Sequence, residues 1–353
     1  MRVRLVKRSG FLFAALGFSV LTASCGSSKS SAASSTTTSN AASAATTSTV
    51  APQTFPLTGL PVTAANASNL NRPALMVKID NAPQAWPQAG INQADVVYEE
   101  MVEGGITRYM AIFQSKDAPL VGPIRSIRGT DVALAAQTGG LIGYSGGIPA
   151  FVTAVQNTGV VDVGANDAGG AYTRDYSRQS PHNLFSTTQK LYSAASTSVQ
   201  PAHALFQFGK TNQVIPASIA KASSSTEVYI SGAADDLWTY QSSTGQYTKS
   251  IGGQAIVDTT GAPLSTTNII VEFVNYVNTQ YVDPAGNPVP EANILGVGSG
   301  EVLMGGSYAS ISWSKSTNSQ PTTYSYSDGQ PLKLRPGRTF VVFAPIGTKV
   351  TNN

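Results

Sequence analysis

Ala94-Asp95-Val96-Val97-Tyr98-Glu99-Glu100-Met101-Val102-Glu103-Gly104-Gly105-Ile106-Thr107-Arg108-Tyr109-Met110-Ala111-Ile112-Phe113-Gln114 sets two apolar runs on either side of a Gly-Gly pair. Val96 to Met101 reads as a strand, and Thr107 to Gln114 alternates as another. On such a strand Glu99 and Glu103 fall on one face and Glu100 on the other. Upstream, Ala74 to Ile79 reads as a further strand. Downstream, helices fit Thr130 to Gln137, Pro149 to Gln156 and Ser186 to Ala195, with Pro149 in a first turn and Ser186 as a cap. Leu141 to Tyr144 reads as a buried strand between the first two helices. Residues 57–203 are therefore expected to form a mixed α/β domain.

After about residue 204 the pattern changes to short β-rich runs: Glu227 to Ile230, Leu237 to Gln241, Gln246 to Ile251, Asn268 to Val277, Ser307 to Lys315 and Thr339 to Phe343. Ser243-Thr244-Gly245 and Ser327-Asp328-Gly329 are tight-turn signals. The fold class expected is α+β, with residues 204–353 a smaller all-β domain of sandwich or barrel type.

Working back to the start, Arg2, Arg4, Lys7 and Arg8 precede an apolar run from Phe11 to Leu21. Those 11 residues are too few to span a bilayer, which takes about 20, and read as an export signal. The chain carries 22 basic and 19 acidic residues; removing those four bases leaves 18 against 19, a net charge of −1. Nucleic-acid binding thereby loses its electrostatic basis. One Cys in 353 residues excludes a disulfide framework and a multi-thiolate zinc site. Residues 25–56 are almost wholly Ser, Thr, Ala, Gly and Asn, and are expected to be a tether.

Six of the eight arginines beyond the export signal lie in the first half: Arg72, Arg108, Arg125, Arg128, Arg174 and Arg178. Arg rather than Lys suits bidentate capture of phosphate or carboxylate. The expected ligand-binding set is Arg108, Arg125, Arg128, Arg174, Arg178, Glu99, Glu103, His182 and Asn183. The plainer alternative is that the acids simply pair with the arginines. Replacing Arg125 and Arg128 by Ala is expected to abolish ligand binding with little change in thermal unfolding. Of the two histidines, His182 and His203, His182 follows the Arg-rich loop and suits general acid or base work. No cofactor and no metal are expected. Gly143-Tyr144-Ser145-Gly146-Gly147 matches a nucleophile-elbow pattern, with Asp162 or Asp175 and then His182 in chain order, but too few βα units follow to build that fold.

Thr22-Ala23-Ser24-Cys25-Gly26 resembles the lipobox of bacterial lipoproteins, which implies residues 1–24 as signal peptide and Cys25 as the lipidated N-terminus. Arg72-Pro73, Lys78-Ile79-Asp80-Asn81, Pro87-Gln88-Ala89-Gly90, Ala94 to Glu99, Glu103 to Arg108, Gly122 to Arg128 and Ser180-Pro181-His182-Asn183 resemble, in order, the motifs of the YerB-type lipoproteins. Trp313-Ser314-Lys315, Asp328-Gly329 and Arg335 to Thr339 extend the resemblance to about residue 346. That family is bacterial, two-domain and of unknown function. It implies an extracytoplasmic place, anchored to the cell membrane. Arg125 to Asp131 with Arg174 to Gln179 also resembles the arginine motifs of LytR-CpsA-Psr phosphotransferases, without their Pro-Arg-Asp order. Those enzymes use arginines around a polyprenyl pyrophosphate.

Three readings follow. The first is an anchored binding or assembly module for an anionic envelope ligand, a lipid phosphate or wall polymer, in an Arg-lined cleft. The second is a phosphotransferase or phosphohydrolase, with Asp131 or Glu103 holding a metal or acting as base. The third is a scaffold whose β domain docks an envelope protein through exposed Tyr324 and Tyr326.

Overall fold

The computed structural model describes residues 52–283 and 285–353. The export signal, Cys25 and the tether as far as residue 51 lie outside the described residues. The folded part begins before the expected Leu57. Phe55 is fully buried, and Val62 N donates to Gln53 O.

The first half supplies β1 (Leu75–Asp80), β2 (Val96–Met101), β3 (Thr107–Phe113), α1 (Thr130–Thr138), β4 (Leu141–Gly143), α2 (Pro149–Gln156), β5 (Val161–Asp162), β6 (Thr173–Arg174), β7 (Leu184–Phe185) and α3 (Thr188–Ser193). Gly104 and Gly105, with φ of +69° and +74°, turn the chain between β2 and β3 in a conformation that side-chain-bearing residues avoid. The expected start of α3 shifts by two residues. Thr187 is the cap, its Oγ1 accepting from Lys190 N, because the Ser186 hydroxyl is engaged with Ala171 O.

The second half supplies β8 (Lys221–Ala222), β9 (Ser225–Ser231), β10 (Ala234–Gln241), β11 (Gln246–Ile251), β12 (Gln254–Ala255), β13 (Ser265–Thr266), β14 (Asn268–Val282), β15 (Pro288–Asn293), β16 (Gly296–Met304), β17 (Ser307–Lys315), β18 (Thr323–Tyr326), β19 (Thr339–Pro345) and β20 (Val350–Asn352). Among the described residues the molecule is mostly sheet, and its three α-helices come before residue 204.

That change of composition is not a seam in the sheet. Strands of both halves form one twelve-stranded sheet in the order β18-β17-β16-β14-β19-β2-β3-β1-β4-β5, with β15 on β14 and β8 on β17. The joint is β19, parallel to β14 on one edge and to β2 on the other. Its Phe340-Val341-Val342-Phe343-Ala344 run is buried on both faces, as expected of a central parallel strand. The sandwich expected of the second half is therefore met in a different way. A six-stranded sheet, β12-β11-β10-β9-β20 with β13 on β11, stacks on the large sheet that both halves share. Trp238 of the small sheet packs on Phe340, ring centres 4.9 Å apart. The opposite face is covered by α1, Leu205, Phe206 and Leu334.

Candidate functional site

β1, β3 and β2 lie side by side, and their register sets Asp80 opposite Arg108 and Arg108 opposite Glu100. Alternation turns these three and Lys78 toward the α1 face, while Val77, Ile79 and Tyr109 face the small sheet. β4 pairs with β1 only from Leu75 to Val77. Beyond that point the segment 123–127 takes its place: Arg125 N donates to Lys78 O, and Ser145 and Ile127 connect the segment to the residues after β4. Arg125 and Arg128 are thus delivered to the carboxyl end of a parallel strand pair, where α/β sheets place ligands.

Asp80 is the hub. Its Oδ2 lies 3.0 Å from Arg125 Nε and 2.7 Å from His182 Nδ1, and its Oδ1 accepts from Ala82 N. Arg128 grips Glu103 with two parallel bonds, Nε to Oε1 at 2.5 Å and Nη2 to Oε2 at 2.8 Å. Burial pushes the Glu103 carboxyl up, but these bonds and the charges of Arg128 and Arg108 outweigh it and hold the group below its ordinary range. Arg108 donates to Ser126 O, and its Nη2 stands 3.8 Å from Glu103. Burial, then repulsion from Arg128 and Arg125, pushes its guanidinium down to about 10.

The loop carrying His182 is fastened by the other expected residues. Arg178 donates to Ala85 O and Pro87 O and lies over the Phe185 ring. Arg174 donates to Asn183 Oδ1, and Asn183 Nδ2 donates to Arg178 O. These three hold His182 against Asp80. Arg125 differs from all of them. Its Nη groups make no hydrogen bond among the described residues, and the side chain is 18% exposed beside a His182 that is 17% exposed.

Glu99 is not part of this group. It points to the opposite face, where it accepts from Thr107 Oγ1 and binds Lys249, itself 2.7 Å from Asp236. The Lys249 ammonium stands 5.1 Å from the ring centres of Tyr109, Trp238 and Phe340. Burial, then Glu99, raises the Asp236 carboxyl well above its usual range. The expected sharing of a face by Glu99 and Glu103 fails because β2 ends at Met101 and the glycine turn carries Glu103 to the α1 side. There, Lys78 binds Glu100 and, at 2.8 Å, Asp131. Asp131 Oδ2 accepts from Arg128 N, and burial followed by Glu100 raises its carboxyl to about 6. Neighbouring glutamates on one strand thus feed two lysine-centred triads, one on each face.

Other expectations are revised. Tyr324 and Tyr326 are buried, 8% and 4% exposed, and Tyr324 donates to Glu272 while its ring stacks on Phe206. They offer no docking surface. Asp131 and Glu103 are held by Lys78 and Arg128, which leaves neither free to serve a metal or act as base. Among the described residues no group of three His, Cys, Asp or Glu is placed to hold a metal. Asp162 is taken by Tyr144 and Gly164 N, and Asp175 by Ser177. His182 turns to Asp80, so no triad forms on Ser145. His203 Nε2 donates to Gln137 O, away from the cluster. A cavity of about 860 Å³ is lined by Arg72, Asp117 and Tyr192 and does not hold the arginine cluster. Asp80 was missing from the expected set. Its signal was the pair Lys78 and Asp80, polar at alternate positions of an otherwise apolar strand.

Two profiles of one family match, the N-terminal domain of the protein of unknown function DUF3048 over residues 57–201 and its C-terminal domain over residues 226–341. The chain belongs to the DUF3048 family. Both family domains contribute strands to the twelve-stranded sheet. A relative from Bacillus subtilis (strain 168), named "Putative lipoprotein YerB", is 29% identical over 82% of this chain and 86% of its own length. The crystal structure of the YerB protein from Bacillus subtilis shares the fold, with a TM-score of 0.71 at 24% identity over 85% of this chain and all of that one. Among the described residues no helix is long and apolar enough to cross a membrane.

Proposed function

We propose that this protein is a membrane-anchored extracytoplasmic lipoprotein that binds an anionic component of the cell envelope, a lipid phosphate or a wall polymer, at Arg125, Arg108 and His182. The lipobox-like Cys25 and the name of the Bacillus subtilis relative support the anchor. The single observation that carries the ligand class is the open Arg125 guanidinium. Every other arginine around Asp80 donates to a carboxylate, carbonyl or amide oxygen, whereas Arg125 has only the charge contact of its Nε with the fully buried Asp80 carboxylate, 3.0 Å away, and no side-chain hydrogen bond among the described residues. A guanidinium left with unsatisfied donors beside the solvent gains hydrogen bonds on taking up an oxyanion.

The test is a thermal-shift screen of the full chain in neutral detergent against polyprenyl phosphates and wall-polymer fragments. A ligand of the native state raises the melting temperature by mass action. The reading expects a rise that Arg125→Ala removes; no rise with any of them overturns it. The Asp80–His182 pair supports a second reading, a phosphohydrolase in which Asp80 orients the imidazole and leaves Nε2 to activate water. Release of phosphate from those same ligands, lost in His182→Gln, separates it from simple binding.

A further inference from the structure

We infer that the site takes a single, singly charged oxyanion presenting two oxygens to one guanidinium, as a phosphodiester or a carboxylate does, and not a pyrophosphate. This rests on the anion-site reading above and narrows it. Two independent observations carry it.

The first is the number of open donors. Arg128 spends its fork on Glu103, Arg178 on two backbone carbonyls, and Arg174 is tied to Asn183. Arg108 is buried, with Ser126 O and Glu103 about it. Among the described arginines of this cluster only Arg125 has both Nη groups unbonded, and its Nε shares Asp80 Oδ2 with His182 Nδ1 as neighbour. One planar fork matches one two-oxygen face.

The second is charge balance. The groups joined in ion pairs on this face are Lys78, Arg108, Arg125 and Arg128 against Asp80, Glu100, Glu103 and Asp131, four of each sign, and Glu291, beside Gly129 and near Glu100, adds a further carboxyl. A site built for a multiply charged ligand would hold a surplus of buried cations. Here a monoanion is met by the one guanidinium that faces water, and each further negative charge meets a network already neutralised from within. Of the other cations nearby, Arg178 faces Asp175 at 3.9 Å and Arg174 is exposed and screened by salt.

The experiment titrates the full chain in neutral detergent with dimethyl phosphate, acetate and pyrophosphate at pH 8 and constant ionic strength, reading the melting temperature and the heat of binding. Tighter binding of dimethyl phosphate or acetate than of pyrophosphate is expected, and the order of those two identifies the source as diester or carboxylate. Arg125→Lys keeps the charge but loses the fork, and is expected to weaken binding about tenfold or more. Tighter binding of pyrophosphate, or full retention in Arg125→Lys, overturns the single-fork inference while leaving an anion site in place. Retention in Arg125→Ala, or no binding of any of the three, overturns the anion-site reading itself.

Discussion

Arg125 and Arg128 are three residues apart and do different work. Arg128 is buried and bonded twice to Glu103, so Arg128→Ala strands a carboxylate in the interior; breaking such a pair costs about 3–5 kcal/mol. In Arg125→Ala the Asp80 carboxylate keeps His182 Nδ1 and Ala82 N. Thermal unfolding followed by circular dichroism should fall by roughly 5 °C or more for Arg128→Ala and by less than half of that for Arg125→Ala. Equal losses would show that both are structural. The expectation from sequence that neither change disturbs unfolding is corrected for Arg128, because its residue type was visible and its burial was not. The same holds for the site as a whole. Arg108, Arg125, Arg128 and His182 stand out by residue type in loops and at strand ends. Which acid each one meets depends on contacts such as Lys249 with Glu99, 150 residues apart in the chain, that no local pattern encodes.

At the scale of elements, β16 shows what a strand owes to its neighbours. Gly300 lies against β14, where an added Cβ would run into the Val271 carbonyl oxygen, and at Gly298 it would meet the Trp313 indole. Gly300→Ala should therefore cost about 3 kcal/mol through forced separation of β14 from β16. Gly329→Ala, in an open turn with φ +82°, should cost only about 1 kcal/mol. Urea unfolding of the two variants checks the contrast, and similar losses would sink it. The strand was illegible in the sequence for the same reason. Three glycines in Gly296–Met304 suppress the usual strand signature; the cause is tertiary at Gly298 and Gly300 and a φ of +106° at Gly296. β11 and β17 were legible at their observed bounds because their burial alternates residue by residue. β18 was missed because its tyrosines, both buried and Tyr324 stacked on Phe206, read as surface aromatics.

At the scale of the whole molecule, the two matched family domains share one sheet and one pair of cores. Tyr98 of β2 stacks on Phe343 of β19, and Tyr109 of β3 meets Phe340 edge-on. Residues 57–203 and 204–353 produced as separate chains should each lack a cooperative melting transition, while the intact chain shows a single one by calorimetry. Two independent transitions in the intact chain would contradict the shared core. The place of β19 also has a consequence for biosynthesis. A chain made from its N-terminus must hold the edges of β2 and β14 bare until residues 339–345 leave the ribosome. Those edges are apolar and hungry for backbone partners, so a chain cut short before residue 339 presents two templates for aggregation at once. One strand made late, β19, closes both edges together.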